Sequence, residues 1–374
     1  MDLNAAREVF EASQDLTVGI EEEWAIIDPV TLELVPKYEA LRADGDKDEV
    51  LAQAISGELI SSEIEIRSGR GEDVQHALKL QREARRRLFA LADAHGVGLA
   101  STGTHPLSDY REQHIIDTEH YRRVQEGLQY VARRNNTFAL QVHVGVRGAD
   151  RAIKACDRLR PVLPTLLAIS ANSPFIDGRD SGLHSARTQT FTKSFPRCGV
   201  PDPFYSWQNW QDYVELLLRT HSIVEFTQLW WSVRAHHSYG TIEVRICDAQ
   251  STAAEADALV ELIVACVAQA LREIDAGEVA PDVPGRLIEE NMWRALRYGQ
   301  DGKLLDLEAP RIVEYPASEA LERLRAWTGA DIALPELNGA QRQRRMIDAG
   351  ATPYEVFKQC VEETRATYPA EEKV

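Results

Sequence analysis

Several absences bound this chain before any of its residues is assigned a role. Its five cysteines (Cys156, Cys198, Cys247, Cys266, Cys360) are scattered, odd in number and never paired as C-x-x-C. That spacing excludes a disulfide framework and a zinc ribbon and fits a reducing cytoplasm. Long apolar runs are missing. The longest, from Ala258 to Leu271, is interrupted by Glu261 and Gln269 and falls short of the roughly 20 residues that span a bilayer; it reads as a buried helix. Positive charge is scarce, with 42 Lys and Arg against 59 Asp and Glu and a net charge of -17. Non-specific nucleic-acid binding, which needs a basic face, is thereby excluded. There is no G-x-x-x-x-G-K-[ST], G-x-S-x-G or H-E-x-x-H, so a nucleotide would have to bind without a P-loop. The N-terminal MDLNAAREVFEASQD carries acids and lacks an apolar core, so no signal peptide is expected. No repeat or Gly/Ser linker divides the chain, and one catalytic domain over 1–374 is expected.

Period-two alternation predicts strands over 16–27, 59–68, 98–102, 138–146 and 241–247. Helical spacing predicts 73–95, with Gly96 as C-cap, 118–134, 150–170 interrupted by Pro161 and Pro164, and 252–276. The last opens on Thr252 and Glu255 as a capping box and closes at Gly277. Short amphipathic helices fill the C-terminal quarter. The strands lack the rhythm of a doubly wound sheet, so the fold class is α+β, with a mostly antiparallel sheet and helices packed on one side. The segment 178–205, rich in Gly, Pro, Ser and Arg, reads as a functional loop whose Arg179, Arg187, Lys193 and Arg197 close over anions. Trp230 and Trp231 read first as core packing, with a substrate wall as the alternative.

Alternation puts Glu21 and Glu23 on one face, opposite Ile20, Glu22 and Trp24. It likewise groups Glu63, Glu65 and Arg67 against Ile60, Ile64 and Ile66; Gln141 and His143 against Leu140, Val142 and Val144; and Glu243 and Arg245 against Ile242, Val244 and Ile246. A single E-x-E is ordinarily a solvated face, and a single histidine ordinarily structural. Four strands that each pair an apolar face with an acid-, histidine- or arginine-bearing one are a different matter. Carboxylates held close raise one another's pKa unless cations neutralise them. Mg²⁺ or Mn²⁺ prefers oxygen donors with an occasional imidazole, and metals with arginines offset charge in phosphoryl transfer.

At these residues the sequence resembles the glutamate–cysteine ligase type 2 group of carboxylate-amine ligases, within the glutamine-synthetase-like superfamily. The segments that carry the resemblance are TVGIEEEW (17–24), GELISSEIEIRSG (57–69), STGTHP (101–106), QVHVGV (141–146), ANSPFIDGRDSGLHSARTQTF (171–191), WWSVRAHHSYGTIEVRICDAQ (230–250), NMWRALRYGQDGKLLD (291–306) and GAQRQRR (339–345). They run in order over almost the whole chain. The resemblance implies a curved, mostly antiparallel sheet whose acidic concave face binds ATP and Mg²⁺, with Mn²⁺ as a substitute. It implies Glu21, Glu23, Glu58, Glu65 and Glu243 as metal ligands and His143 as a ligand of metal or nucleotide. Alternation favours Glu63 where the family pattern favours Glu58, and Gln141 stands where many relatives carry a second histidine. Arg245 and Arg187 are implied at the reacting phosphate, and Arg179, Arg187 and Arg234 at substrate carboxylates. Relatives suggest a homodimer.

The implied reaction has two steps. A glutamate γ-carboxylate attacks the ATP γ-phosphate, and the acyl phosphate is then attacked by the amine of cysteine. This chemistry needs orientation and charge neutralisation rather than a nucleophilic side chain. The same ligase chemistry with another acid or amine, a metal-dependent hydrolase, and a metal-free binding protein of the same fold stay open on the residues alone.

Overall fold

The computed structural model describes residues 3–279 and 281–367. Seven strands form its main sheet: β1 (Val18–Ile27), β2 (Ile55–Ser56), β3 (Glu63–Arg67), β4 (Gly98–Ala100), β5 (Ala139–Gly145), β6 (Val233–His236) and β7 (Thr241–Asp248). The order is β6-β7-β5-β1-β3-β2, with β4 paired to the far end of β1, and every ladder is antiparallel. In register, Glu21 stands beside Gln141 and Arg67, Glu23 beside Glu65, and Glu243 beside both His143 and Arg234. Because side chains directly opposite share a face, the polar positions of five strands collect on one side of the sheet.

The other side is covered by helices. Ile20, Val142, Val144, Ile242 and Val244 are buried in the main core together with α3 (Ala149–Leu159), α4 (Leu163–Ser170), α5 (Ala253–Asp275) and α6 (Gly285–Tyr298), which follow α1 (Val74–Ala94) and α2 (Glu119–Leu128) in the chain. A second cluster sets Trp24, Ile64 and Ile66 against Ala84, Leu88 and Phe89 of α1; the Trp24 and Phe89 rings meet edge to face at 5.5 Å. Caps fix the helix starts. Asp73 accepts from the His76 N–H at α1, and Thr252 from the Glu255 N–H at α5. One charged group crosses to the helical side. Glu22 accepts from Arg85 at 2.6 and 2.8 Å, and Arg85, fully buried, also reaches Asp257 at 2.6 Å. This bridge ties β1 to α1 and α5.

Two expectations are corrected. The strand predicted over 59–68 begins at Glu63; Leu59 and Ile60 belong instead to a separate small cluster with Ala132. The helix predicted over 118–134 breaks at Gln129, whose φ is +49°. The helix predicted over 150–170 is interrupted as expected, at a 3-10 turn, Arg160–Val162, formed around Pro161. Strand β2, of two residues, was too short for alternation to reveal, and the four-residue β6 was not predicted. All five cysteines are unpaired. Among the described residues no helix is long and apolar enough to cross a membrane.

Candidate active site

The polar face of the sheet floors a cavity of about 370 Å³ lined by Glu21, Glu58, Glu65, His143, Glu243 and Arg245 among others. A larger recess of about 550 Å³ opens beside it and shares Glu21, Arg67, His143 and Tyr239. Glu21 and His143 therefore stand at the waist of a two-lobed space. Strand alternation delivers most of this floor, and β6 adds Arg234 and His236 from its edge.

Acids dominate one end. Single oxygens of Glu23, Glu58 and Glu65 all lie within 4.8 Å of one another. Glu23 is held by the Ala139 N–H at 2.6 Å and by Gln141 Nε2 at 2.7 Å. Burial pushes its pKa up, against the pull of Arg187 and Arg245. Burial and the Glu23 charge push Glu58 to about 7. Glu63 and Glu65 are driven well above the usual range, first by burial and then by their acidic neighbours. Of Glu58 and Glu63, Glu58 is the one at ligand distance. Glu63 has its Oε2 buried and unpartnered.

Cations hold the other end. Arg234 Nε meets Glu243 at 2.7 Å, and Arg245 Nη1 donates to the same carboxylate. Burial would raise Glu243, yet Arg234 and Arg245 hold its pKa well below the ordinary value. His143 Nδ1 pairs with Thr241 Oγ1 at 2.9 Å, leaving Nε2 at 3.5 Å from Glu21 and 3.8 Å from Glu243. Burial raises Glu21 too, but His143 and then Arg67 bring it down to about 2. Glu21 and Glu243, whose pKa values are held down by neighbouring cations, thus flank a cluster of acids whose pKa values are pushed up by burial.

That cluster fits hard divalent cations. Three carboxylates converge, and beside them the buried Gln141 Oε1 has no hydrogen-bond partner. Oxygen donors of this kind suit Mg²⁺ or Mn²⁺, and His143 adds one imidazole at the waist.

The arginines of the 178–205 loop behave otherwise than expected. Arg179 is exposed on a two-residue strand, away from the cavity. Arg187 is buried, but its guanidinium donates to the carbonyls of Arg245 at 3.0 Å and Ile246 at 3.1 Å, where the β7 ladder shifts register. It braces the bulge that carries Arg245 rather than facing a ligand. Lys193 pairs with Glu289, and Arg197 donates to the Gln228 carbonyl. What this loop gives the cavity is aromatic: Phe191 and Phe195, with Trp230 meeting Phe195 edge to face at 5.7 Å. Trp231 is core and Trp230 is wall. Sequence reading missed His236 and Tyr239, whose rings stack at 4.6 Å. The Val233-Arg234-Ala235-His236 alternation was the available signal for His236. It also missed Tyr121, in a helix that carries no motif.

Comparison with known proteins bears on the family and the fold. The model of glutamate-cysteine ligase family 2 matches residues 17–366. A glutamate–cysteine ligase of Natronomonas pharaonis is 34% identical over 353 residues, covering 93% of this chain and 95% of that one. A Rubrobacter xylanophilus protein provisionally named glutamate–cysteine ligase 2-2 is 36% identical over 363 residues, covering 95% and 93%. In fold, the chain is similar to the glutamate–cysteine ligase of Francisella tularensis crystallised with AMP (TM-score 0.64, 12% identity, 95% of this chain and 89% of that one). It is also similar to a bifunctional glutathione synthetase of Pasteurella multocida (TM-score 0.68, 11% identity, 98% of this chain), of which it spans about half, 54%. The chain belongs to glutamate-cysteine ligase family 2.

Proposed function

We propose that this protein is an ATP-dependent carboxylate-amine ligase that joins the γ-carboxylate of L-glutamate to the amine of L-cysteine, releasing ADP and phosphate. The observation that carries the reading is the convergence of Glu23, Glu58 and Glu65 within 4.8 Å, beside ionised Glu21 and Glu243 and the guanidinium of Arg245. Mg²⁺ held by Glu21, Glu23, Glu58, Glu65 and Glu243 would offset the charge of a triphosphate. The larger recess, with Val9, Ala12, Val18 and Ile20 in its lining, suits a nucleoside, so that the phosphates reach the waist at His143.

The chain's own residues then orient and neutralise. Arg245 is tied to Glu243 through Nη1 while its buried Nε has no partner, which leaves a donor for the oxygens of a transferring phosphoryl group. The glutamate γ-carboxylate oxygen bonds to the γ-phosphorus as the bond to ADP breaks. The acceptor amine nitrogen then bonds to the acyl carbon as the bond from that carbon to the phosphate oxygen breaks, and the proton the nitrogen loses passes to the departing phosphate or to solvent. Arg234, with Nη1 on the Thr227 and Leu229 carbonyls and Nε on Glu243, holds Glu243 in place. Arg187 does the same for the β7 bulge. The aromatic wall of Phe191, Phe195 and Trp230 suits the acceptor's side chain.

The test is ADP release with ATP, Mg²⁺, glutamate and a panel of amines. Release that requires both glutamate and cysteine supports the reading. Release with another amine alone assigns the same chemistry to a different acceptor. Bond cleavage without ATP makes the protein a hydrolase and overturns the ligase.

A further inference from the structure

Glu58 is the one acid of the converging trio that no strand carries. It follows β2 and Gly57, and the chain around it is held from outside the sheet. The Ile116 N–H donates to the Leu59 carbonyl at 3.0 Å, and the Ser61 N–H to the His114 carbonyl at 2.8 Å. The Tyr121 hydroxyl donates to the Gly57 carbonyl. Gly57 lies close against the Tyr38 side chain, since a Cβ there would stand 2.7 Å from its ring. Leu59 and Ile60 pack with Ala132 and the half-buried Ile115, Tyr121, Val124 and Leu128, apart from the main core. No residue of α2 is itself buried. His120, in the cavity lining, has Nδ1 3.3 Å from Glu225. Two packing units therefore meet at the trio: Glu23 and Glu65 ride on the sheet, and Glu58 rides on the layer formed with residues 114–134.

We propose that Tyr121 is a positioning residue for Glu58, and that residues 114–134 form a clamp whose seating is coupled to divalent-cation binding. The proposal rests on the reading of these acids as cation ligands. With α2 seated, the Tyr121–Gly57 bond fixes the turn that aims Glu58 at Glu23 and Glu65. With α2 lifted, that turn loses its anchor and two acids remain. Coupling is reciprocal: what clamp seating adds to cation affinity, the cation adds to clamp seating. The Tyr121 hydroxyl makes one hydrogen bond to an uncharged acceptor, and its loss weakens cation binding about fivefold.

Mn²⁺ titration followed by electron paramagnetic resonance, with limited trypsin digestion at the exposed Arg122 and Arg123, tests this on the full chain. The wild type, Tyr121→Phe, Glu58→Gln and the double variant are compared. Mn²⁺ is expected to slow cleavage at these arginines in the wild type and to leave it unchanged in Glu58→Gln. Tyr121→Phe is expected to bind Mn²⁺ about fivefold more weakly with an unaltered melting temperature. The double variant is expected to bind no more weakly than Glu58→Gln alone, because one residue acts through the other. Wild-type Mn²⁺ affinity in Tyr121→Phe, or losses that add in the double variant, overturns the positioning role. Mn²⁺ binding with no change in cleavage overturns the coupling and leaves the ligand reading standing. A wild type that binds no Mn²⁺ overturns both.

Discussion

Replacing Arg85 with methionine is expected to cost the fold far more than its distance from the cavity implies. Arg85 is fully buried and satisfies two carboxylates at once, Glu22 through Nε and Nη2 and Asp257 through Nη1. Methionine fills part of the volume but leaves both acids beside the core. Removing one partner of a buried ion pair costs about 3–5 kcal/mol. Gln81 still donates to Glu22 at 2.7 Å and Arg82 to Asp257 at 2.8 Å, so the lower end, about 3 kcal/mol, is expected here. With the unfolding entropy of a chain this long, that is a fall in melting temperature of about 4 °C. The companion variant changes all three groups, Arg85→Met with Glu22→Leu and Asp257→Leu. It is expected to recover most of the loss, because apolar packing replaces the bridge without stranding a charge. Calorimetry at constant salt measures both. A shift under about 1 °C for the single variant, or a triple variant no more stable than the single, would refute the bridge as a charge-compensated tie.

Glu243→Gln is expected to lower ADP release by at least about a hundredfold, because Arg234 and Arg245 lose their shared counterion and one charged ligand is lost; circular dichroism stays as in the wild type, and rates within threefold, roughly, sink the site assignment. Glu21→Gln is expected to behave alike. Gln141→His is expected to lower the Mg²⁺ requirement, since an imidazole would join Glu23 where an amide oxygen now stands; an Mg²⁺ dependence that does not move refutes it. Buried His105 makes stability acid-sensitive. Burial lowers its pKa to about 4 from 6.5, with Nε2–H donated to the Leu32 carbonyl at 2.7 Å and Nδ1 accepting from the Ser108 N–H at 3.0 Å. The unfolded chain takes up the proton first, so this stability is full above pH 6.5 and is lost as pH falls toward 4. His105→Gln is expected to flatten the acid limb of the stability curve by about 1.4 kcal/mol per pH unit, read from urea midpoints; an unchanged limb refutes it.

Much of the site was legible before the structure because strand alternation is a local property. Glu21 with Glu23, Glu65 with Arg67, Gln141 with His143 and Glu243 with Arg245 share faces by the pleat alone, and the structure lays those faces side by side. Glu22, turned the other way, meets Arg85, as alternation required.

The sequence by itself determined which side chains could face one another, since a two-residue period needs no distant contact. It also determined where α1 and α5 begin, because capping is settled within four residues. The tertiary structure alone decided which charges are spent and which are free. Arg187 and Arg179 look alike in the chain, yet one is committed to the carbonyls of Arg245 and Ile246 and the other is exposed. Glu58 lies outside every alternating segment and stands among the acids on a turn whose Gly57 carbonyl accepts from a tyrosine some sixty residues on. Pairings of that kind join segments distant in sequence, and only the packed chain brings them together.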